Sequence, residues 1–157
     1  VPGRTVADIS VETLAEVAKL PTVVGIKDAT GNLARVTAQR LTCGADFCQL
    51  SGNDDMALGF NAMGGVGCIS VTANVAPRLC AEFQAATLAR DWDQALALQD
   101  RLFALHTAMF ADASPGPAKY ALGKVRPGFP QELRLPLTEP GEVAKQAVDD
   151  ALRVAGL

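Results

Sequence analysis

The stretch that decides the fold is residues 22–32, TVVGIKDATGN. Its first five residues form a continuous apolar run, which is typical of a strand buried on both faces of a parallel sheet. Lys27 follows this run at once, and a polar turn begins at Asp28. In parallel α/β folds the carboxyl ends of the strands face the functional site. We therefore predict that Lys27 stands at the site end of a buried strand.

Helical signals flank this strand on both sides. Ser10 is a good N-cap for a helix that Pro21 ends, and Asn32 is a good cap for a second helix that reaches Gly44. The second helix carries its apolar residues at three- to five-residue spacing. These are Leu33, Val36 and Leu41.

Two further strand–turn units follow, at residues 47–50 and 68–71, with a short helix through residues 56–60 and a glycine-rich turn at 64–67 between them. The glycine-rich turn lacks the Lys-Ser/Thr of a phosphate loop, so we interpret it as a simple turn. The sequence thus predicts three parallel strands in order, with their carboxyl ends on one side. A closed (β/α)₈ barrel needs eight strands and about 250 residues. The chain is therefore either a small open α/β domain or part of a barrel.

Helical periodicity replaces strand signals after Pro77. We predict helices at residues 78–90, near 119–122 and at two further places where apolar residues share one helix face. The residues of these two faces are Leu98, Leu102, Leu105 and Met109 in one, and Ala144, Val148, Ala151 and Ala155 in the other. We place the domain boundary after residue 90, giving an α/β part at 1–90 and a helical part at 91–157.

Composition excludes several classes of function. The net charge is −3, with 14 basic and 17 acidic residues and no basic stripe, so a nucleic-acid partner is not expected. The four cysteines form no C-x-x-C pair and there is one histidine, His106, so the sequence has no zinc pattern. No apolar run is long enough to span a membrane, and no leader opens the sequence. These features favour a reducing, cytoplasmic setting.

Lys27 is the strongest candidate for chemistry. Apolar strand neighbours would leave its amine poorly solvated, which disfavours the charged form and favours the neutral nucleophile that adds to carbonyls. An ordinary strand-end lysine that extends to water is the alternative from position alone.

Four segments in register decide between these alternatives: residues 1–5 (VPGRT), 25–32 (GIKDATGN), 50–54 (LSGND) and 69–75 (ISVTANV). In order and spacing they resemble successive motifs of the dihydrodipicolinate synthases, and the similarity covers the whole chain. The resemblance implies a (β/α)₈ barrel with a helical C-terminal domain, of which this chain corresponds to about the second half. It also implies a homotetramer.

The resemblance implies a lyase of lysine and diaminopimelate biosynthesis that needs no cofactor or metal. Lys27 is similar to the family's lysine that forms an imine with pyruvate, whose enamine then attacks aspartate 4-semialdehyde. Arg4 resembles the arginine that binds substrate carboxylate, a role suited to a planar bidentate donor. Gly52 and Ile69 match positions that line the pocket. From sequence alone, a turn glycine and a core isoleucine are equally good interpretations of these two residues.

Some of the family's machinery lies outside these 157 residues. The family's proton-relay tyrosine and threonine, and its pyruvate-binding loop, belong to the other half of its chain. The one tyrosine here, Tyr120, matches no relay motif. Two alternatives therefore stay open. One is a related pyruvate-dependent aldolase such as an N-acetylneuraminate lyase, against which Arg4 argues. The other is a non-catalytic half-barrel that serves as an interaction protein.

Overall fold

The computed structural model describes all residues, 1–157, which form two compact units, Val1–Ser70 and Val71–Leu157. The first unit is α/β and the second is helical. The division into a barrel domain at 1–90 and a helical domain at 91–157 stays a prediction, because the two compact units reflect only how the residues of this chain pack on one another. None of the helices has the length and apolarity that crossing a membrane requires.

The first unit contains two parallel strands and four helices. Strand β1 (Gly25–Asp28) pairs in parallel with β2 (Cys48–Ser51), and Lys27 lies opposite Leu50. The helices are α1 (Pro2–Thr5), α2 (Val11–Val17), α3 (Ala34–Cys43) and α4 (Ala57–Ala62), the last preceded by a 3₁₀ turn at Asp54–Met56. Helices α2 and α3 pack on each other.

The cap predicted for α2 is present, since the Ser10 hydroxyl accepts a hydrogen bond of 3.1 Å from the Thr13 amide. The N-cap position of α3 is Leu33, which makes no side-chain cap, so the prediction of Asn32 at this position is wrong by one residue. The Asn32 side chain still accepts a hydrogen bond of 3.1 Å from the Ala34 amide. Gly44 ends α3 with a φ of 104°, a conformation that favours glycine. Val36 is fully buried, whereas Leu41 is 79% exposed.

The first two predicted strands, 22–26 and 47–50, begin and end later in the chain than predicted, at Gly25–Asp28 and Cys48–Ser51. Strand β1 begins at Gly25 rather than Thr22, so Lys27 lies inside the strand and not directly after it. The physical reason is pairing. A ladder exists only where a neighbouring strand runs alongside, and β2 offers partners for residues 25–28. Val24 is 73% exposed and lies outside the paired region.

The third predicted strand, residues 68–71, is reduced to one bridge. Cys68 pairs in parallel with Ser51, and three backbone hydrogen bonds join residues 66–69 to β2. They run from Val66 to Gln49, from Ser51 to Gly67 and from Ile69 to Ser51, at 2.8–3.0 Å. Val71 is already the cap of a 3₁₀ turn at Thr72–Asn74, so a full strand cannot extend to it. The predicted parallel order is nevertheless present, as β1, β2 and then residues 66–69.

The second unit is built from that turn and four helices. These are α5 (Pro77–Ala89), α6 (Trp92–Ala108), α7 (Gly116–Val125) and α8 (Glu142–Ala155). Helix α6 packs on α5 and α8, and α7 packs on α8. The two predicted apolar faces form its core: Leu102, Leu105, Met109, Val148 and Ala155 are fully buried. The predicted helices are confirmed here, and α7 is longer than predicted.

Candidate active site

The strand register places Lys27 on the open face of the sheet. Residues paired across parallel strands share a face, so Lys27 lies on the same face as Leu50. Asp28, Gln49 and Ser51 lie on the opposite face and are buried. The Gln49 side chain donates to the Val36 carbonyl of α3 at 3.0 Å, so this second face packs under the helix. Lys27 consequently points away from the helix layer.

Gly52 lies directly beside the Lys27 side chain. A Cβ atom added at Gly52 would lie 2.9 Å from Lys27 Cε and 2.6 Å from Ala29 Cβ. The Gly52 amide donates to the Asp28 carbonyl at 2.7 Å, which fixes its backbone against the end of β1. Glycine is therefore needed for close approach, and the lysine chain passes over it.

Ile69 lies on the face that carries Lys27. Cys68 is paired with Ser51 and shares its buried face, so the next residue, Ile69, projects to the opposite one. The Ile69 amide donates to the Ser51 carbonyl at 2.8 Å, and its side chain is 46% exposed. The structure thus brings Lys27, Gly52 and Ile69 together at the carboxyl end of the strands.

Arg4 stands apart from these three residues. It lies in the single turn of α1 and is exposed. An open cleft of about 300 Å³ lies between the N-terminal segment, β1 and α3. Its lining includes Pro2, Asp8, Lys27 and Arg35, but not Arg4. After α1 the chain turns through Val6, whose φ of 53° is rare for a β-branched residue.

The expected apolar surroundings of Lys27 are not found. Lys27 is exposed in the structure of residues 1–157, so the prediction of a poorly solvated amine is wrong for this chain on its own. The reason is that the strand's open face has no covering layer within the first unit. Desolvation of the amine requires atoms from elsewhere in the protein.

A buried polar network lies under Lys27, and the sequence analysis did not identify it. Asp28 is 5% exposed, and its carboxylate accepts hydrogen bonds from the Thr30 amide (2.9 Å), the Thr30 hydroxyl (2.6 Å) and the Gln39 side chain (2.9 Å). Arg35 Nε lies 3.3 Å from the same carboxylate. The Asp-x-Thr spacing is an Asx-turn signal that indicates the first of these contacts. The contacts of Asp28 with Gln39 and Arg35 join residues too distant in sequence for such a local signal.

The remaining candidates take structural positions in the second unit. His106 is buried, and its Nδ1 lies 2.8 Å from the Thr72 hydroxyl. The Tyr120 hydroxyl donates to Asp149 at 3.1 Å. No three His, Cys, Asp or Glu side chains are grouped to hold a metal ion.

Comparisons with known proteins all lead to one enzyme family. Residues 1–155 match the model of the dihydrodipicolinate synthetase family. The chain is 64% identical over 157 residues to a 4-hydroxy-tetrahydrodipicolinate synthase from Zymomonas mobilis, and 66% identical to one from Rhizorhabdus wittichii. All of this chain and 54% of each relative are covered, so the chain spans about half the length of these relatives.

Solved structures agree with this match. The crystal structure of a chloride-inhibited dihydrodipicolinate synthase from Acinetobacter baumannii, complexed with pyruvate, superposes with a TM-score of 0.90 at 37% identity. The alignment covers 99% of this chain and 53% of that one. The α/β fold of the chain is therefore that of the matching part of these enzymes.

Proposed function

The chain belongs to the dihydrodipicolinate synthetase family, and we propose that it carries the Schiff-base lysine of a 4-hydroxy-tetrahydrodipicolinate synthase. The observation that carries the proposal is the position of Lys27, which projects from the open face of a parallel sheet over Gly52. A primary amine at the carboxyl end of such strands is placed where enzymes of this architecture bind substrate.

The proposed reaction begins with attack of the neutral Lys27 amine on the pyruvate ketone. Loss of water from the adduct gives a protonated imine, and loss of a methyl proton to a base converts it to an enamine. The enamine carbon attacks the aldehyde of aspartate 4-semialdehyde and forms the new carbon–carbon bond, while the nitrogen returns to the iminium form and the aldehyde oxygen takes up a proton to become a hydroxyl. The substrate's amine then displaces the Lys27 nitrogen from the imine carbon, which closes the ring and frees Lys27.

Arg4, Gly52 and Ile69 are the proposed substrate-binding residues. Arg4 is suited to a carboxylate because its guanidinium offers two parallel donors. Gly52 and Ile69 would line the pocket beside the lysine, which the close approach of Gly52 to Lys27 and the position of Ile69 on the same face support. We assign no cofactor or metal, because imine chemistry needs neither.

We propose that these residues form the second half of the barrel and its helical domain. The motif order supports this placement, as does the arrangement of βα units first and helices after residue 71. Relay groups and the covering of the Lys27 face would then come from the rest of the protein. Assembly as a homotetramer and a cytoplasmic location are proposed from the family resemblance alone.

Borohydride trapping tests the proposal on the full-length protein. Pyruvate plus borohydride should reduce the imine to a stable secondary amine, and peptide mapping should place the added carbons on Lys27. Lys27→Arg should abolish trapping and nearly all turnover, because arginine keeps the charge but has no readily deprotonated amine. Lys19→Arg is the matched control, since Lys19 is exposed and pairs with Glu16 at 2.6 Å. Labelling of another lysine, or full activity in Lys27→Arg, would overturn the assignment.

A further inference from the structure

Arg35 joins the strand of Lys27 to the segment that follows Arg4. Its side chain, 12% exposed, extends from the start of α3. One terminal nitrogen, Nη1, donates to the Asp8 carboxylate, and the other, Nη2, donates to the Ile9 carbonyl at 2.7 Å. Nε lies 3.3 Å from the Asp28 carboxylate. One guanidinium therefore contacts two separate parts of the chain.

The hydrogen bonds to Asp28 fix the direction of Lys27. Neighbouring residues of a strand point to opposite faces, so holding Asp28 in the helix layer directs Lys27 to the open face. Thr30 and Gln39 donate these hydrogen bonds, whereas Arg35 Nε adds a positive charge 3.3 Å away without a hydrogen bond. Because Asp28 is buried, its charge requires these partners.

The contact with Asp8 and Ile9 fixes the other segment. Between Arg4 and Asp8 the chain is exposed and short, and it is held locally by the Thr5 hydroxyl, which donates to the Ala7 carbonyl at 3.2 Å. The two terminal nitrogens of Arg35 then connect the end of this segment, at Asp8 and Ile9, to helix α3. Lysine could not replace it, because a single ammonium lacks the planar pair of donors that reaches Asp8 and Ile9 together.

We propose that Arg35 is a positioning residue that holds the Arg4 segment in register with the Lys27 strand, and thereby sets the affinity for the carboxylate-bearing aldehyde. The inference rests on the function proposed above. Asp8, Lys27 and Arg35 line one cleft, so loosening Arg35 changes the width of the space between the two segments. Imine formation at Lys27 itself requires only β1 and its neighbours.

The test uses the full-length synthase and two variants, Arg35→Met and Asp8→Ala. Each should raise the KM for aspartate 4-semialdehyde by about tenfold or more, as small misplacements of binding groups do. The kcat should stay within about threefold, and pyruvate should still be trapped on Lys27. The double variant should be no worse than the poorer single one, because both changes break the same link.

Arg40→Met is the matched control. Arg40 lies on the same helix and donates to the Met63 carbonyl at 2.6 Å, away from the Lys27 strand, so the KM should be unchanged. Asp8 is 44% exposed, and its change to Ala should leave folding intact. An unchanged KM in Asp8→Ala, or a parallel loss of trapping and kcat, would overturn the inference. Absence of trapping in the unaltered enzyme would instead refute the proposed function.

Discussion

At the scale of single residues, Gly52 sets the path of the lysine side chain. Gly52→Ala would put a methyl group 2.9 Å from Lys27 Cε and 2.6 Å from Ala29 Cβ, so the lysine must move. We expect the rate of borohydride trapping to fall by about tenfold or more, since a displacement near 1 Å has effects of this size. The rate is measured as label incorporated at Lys27 over time.

A second glycine provides the control for this prediction. A Cβ at Gly141 would have Asp112 Oδ2 as its nearest neighbour, at 3.9 Å, so Gly141→Ala should trap pyruvate at the unaltered rate. Equal rates in both variants would show that Lys27 is not constrained by Gly52.

The sequence identified the nucleophile candidate but not its support. Lys27, Gly52 and Ile69 follow strand signals, and three strands in parallel order place such residues together. Asp28 and Arg35 gave no such signal, because an acidic residue in a turn and an arginine on a helix are both ordinary surface residues. Their burial follows from packing of α3 on β1 and α2, which no local pattern shows.

At the scale of elements, helices were predicted more reliably than strands. Caps and apolar spacing are local, so Ser10, Gly44 and the buried face of α8 could be identified from neighbouring residues. Strand limits depend on the partner: Val23 and Val24 have high strand propensity but precede β1, and Val24 contributes only its carbonyl, which accepts from the Cys48 amide at 3.0 Å. The same cause reduces residues 68–71 to one bridge.

The start of α8 depends on a side chain from outside the helix. Asp112 accepts hydrogen bonds from the Gly141 amide at 3.0 Å and from the Ala113 amide at 2.7 Å. Both hydrogen bonds lower the pKa of Asp112 below its ordinary 3.8, and the one from the Gly141 amide has the larger effect. A carboxylate whose pKa is lowered by folding stabilises the fold fully at pH values above its ordinary pKa. This stabilisation is lost as the pH falls through the lowered pKa of the folded state.

We therefore expect Asp112→Asn to loosen the first turn of α8 at neutral pH. Amide hydrogen exchange at Gly141, corrected for its intrinsic rate, should be faster in the variant at pH 7. The difference from the unaltered protein should shrink as the pH falls below 3.8. Asp150→Asn, at the other end of α8 and paired with Arg153, should leave the Gly141 amide unchanged. A difference that persists in acid would contradict the role of the charge.

At the scale of the whole molecule, the first unit exposes a sheet face that barrel enzymes bury. Two strands and one bridge carry Lys27 and Ile69 on an open face, and Val24 is also largely exposed. Two-stranded sheets are marginal in water, and open strand edges favour pairing with other chains. The chain spans about half the length of its relatives, and the covering layer proposed above would correspond to the part of those relatives that lies outside the match.

We expect the 157 residues alone to self-associate or fold poorly. Light scattering during gel filtration should give a mass above 16.3 kDa or aggregated material, and heating should show no cooperative monomer transition. Co-expression with the part of the Zymomonas mobilis enzyme that lies outside the matched 54% should give a soluble complex, because that part supplies the missing strands. Pyruvate trapping on Lys27 should return with it. A monomer that unfolds cooperatively by itself would show an autonomous domain and favour the non-catalytic alternative.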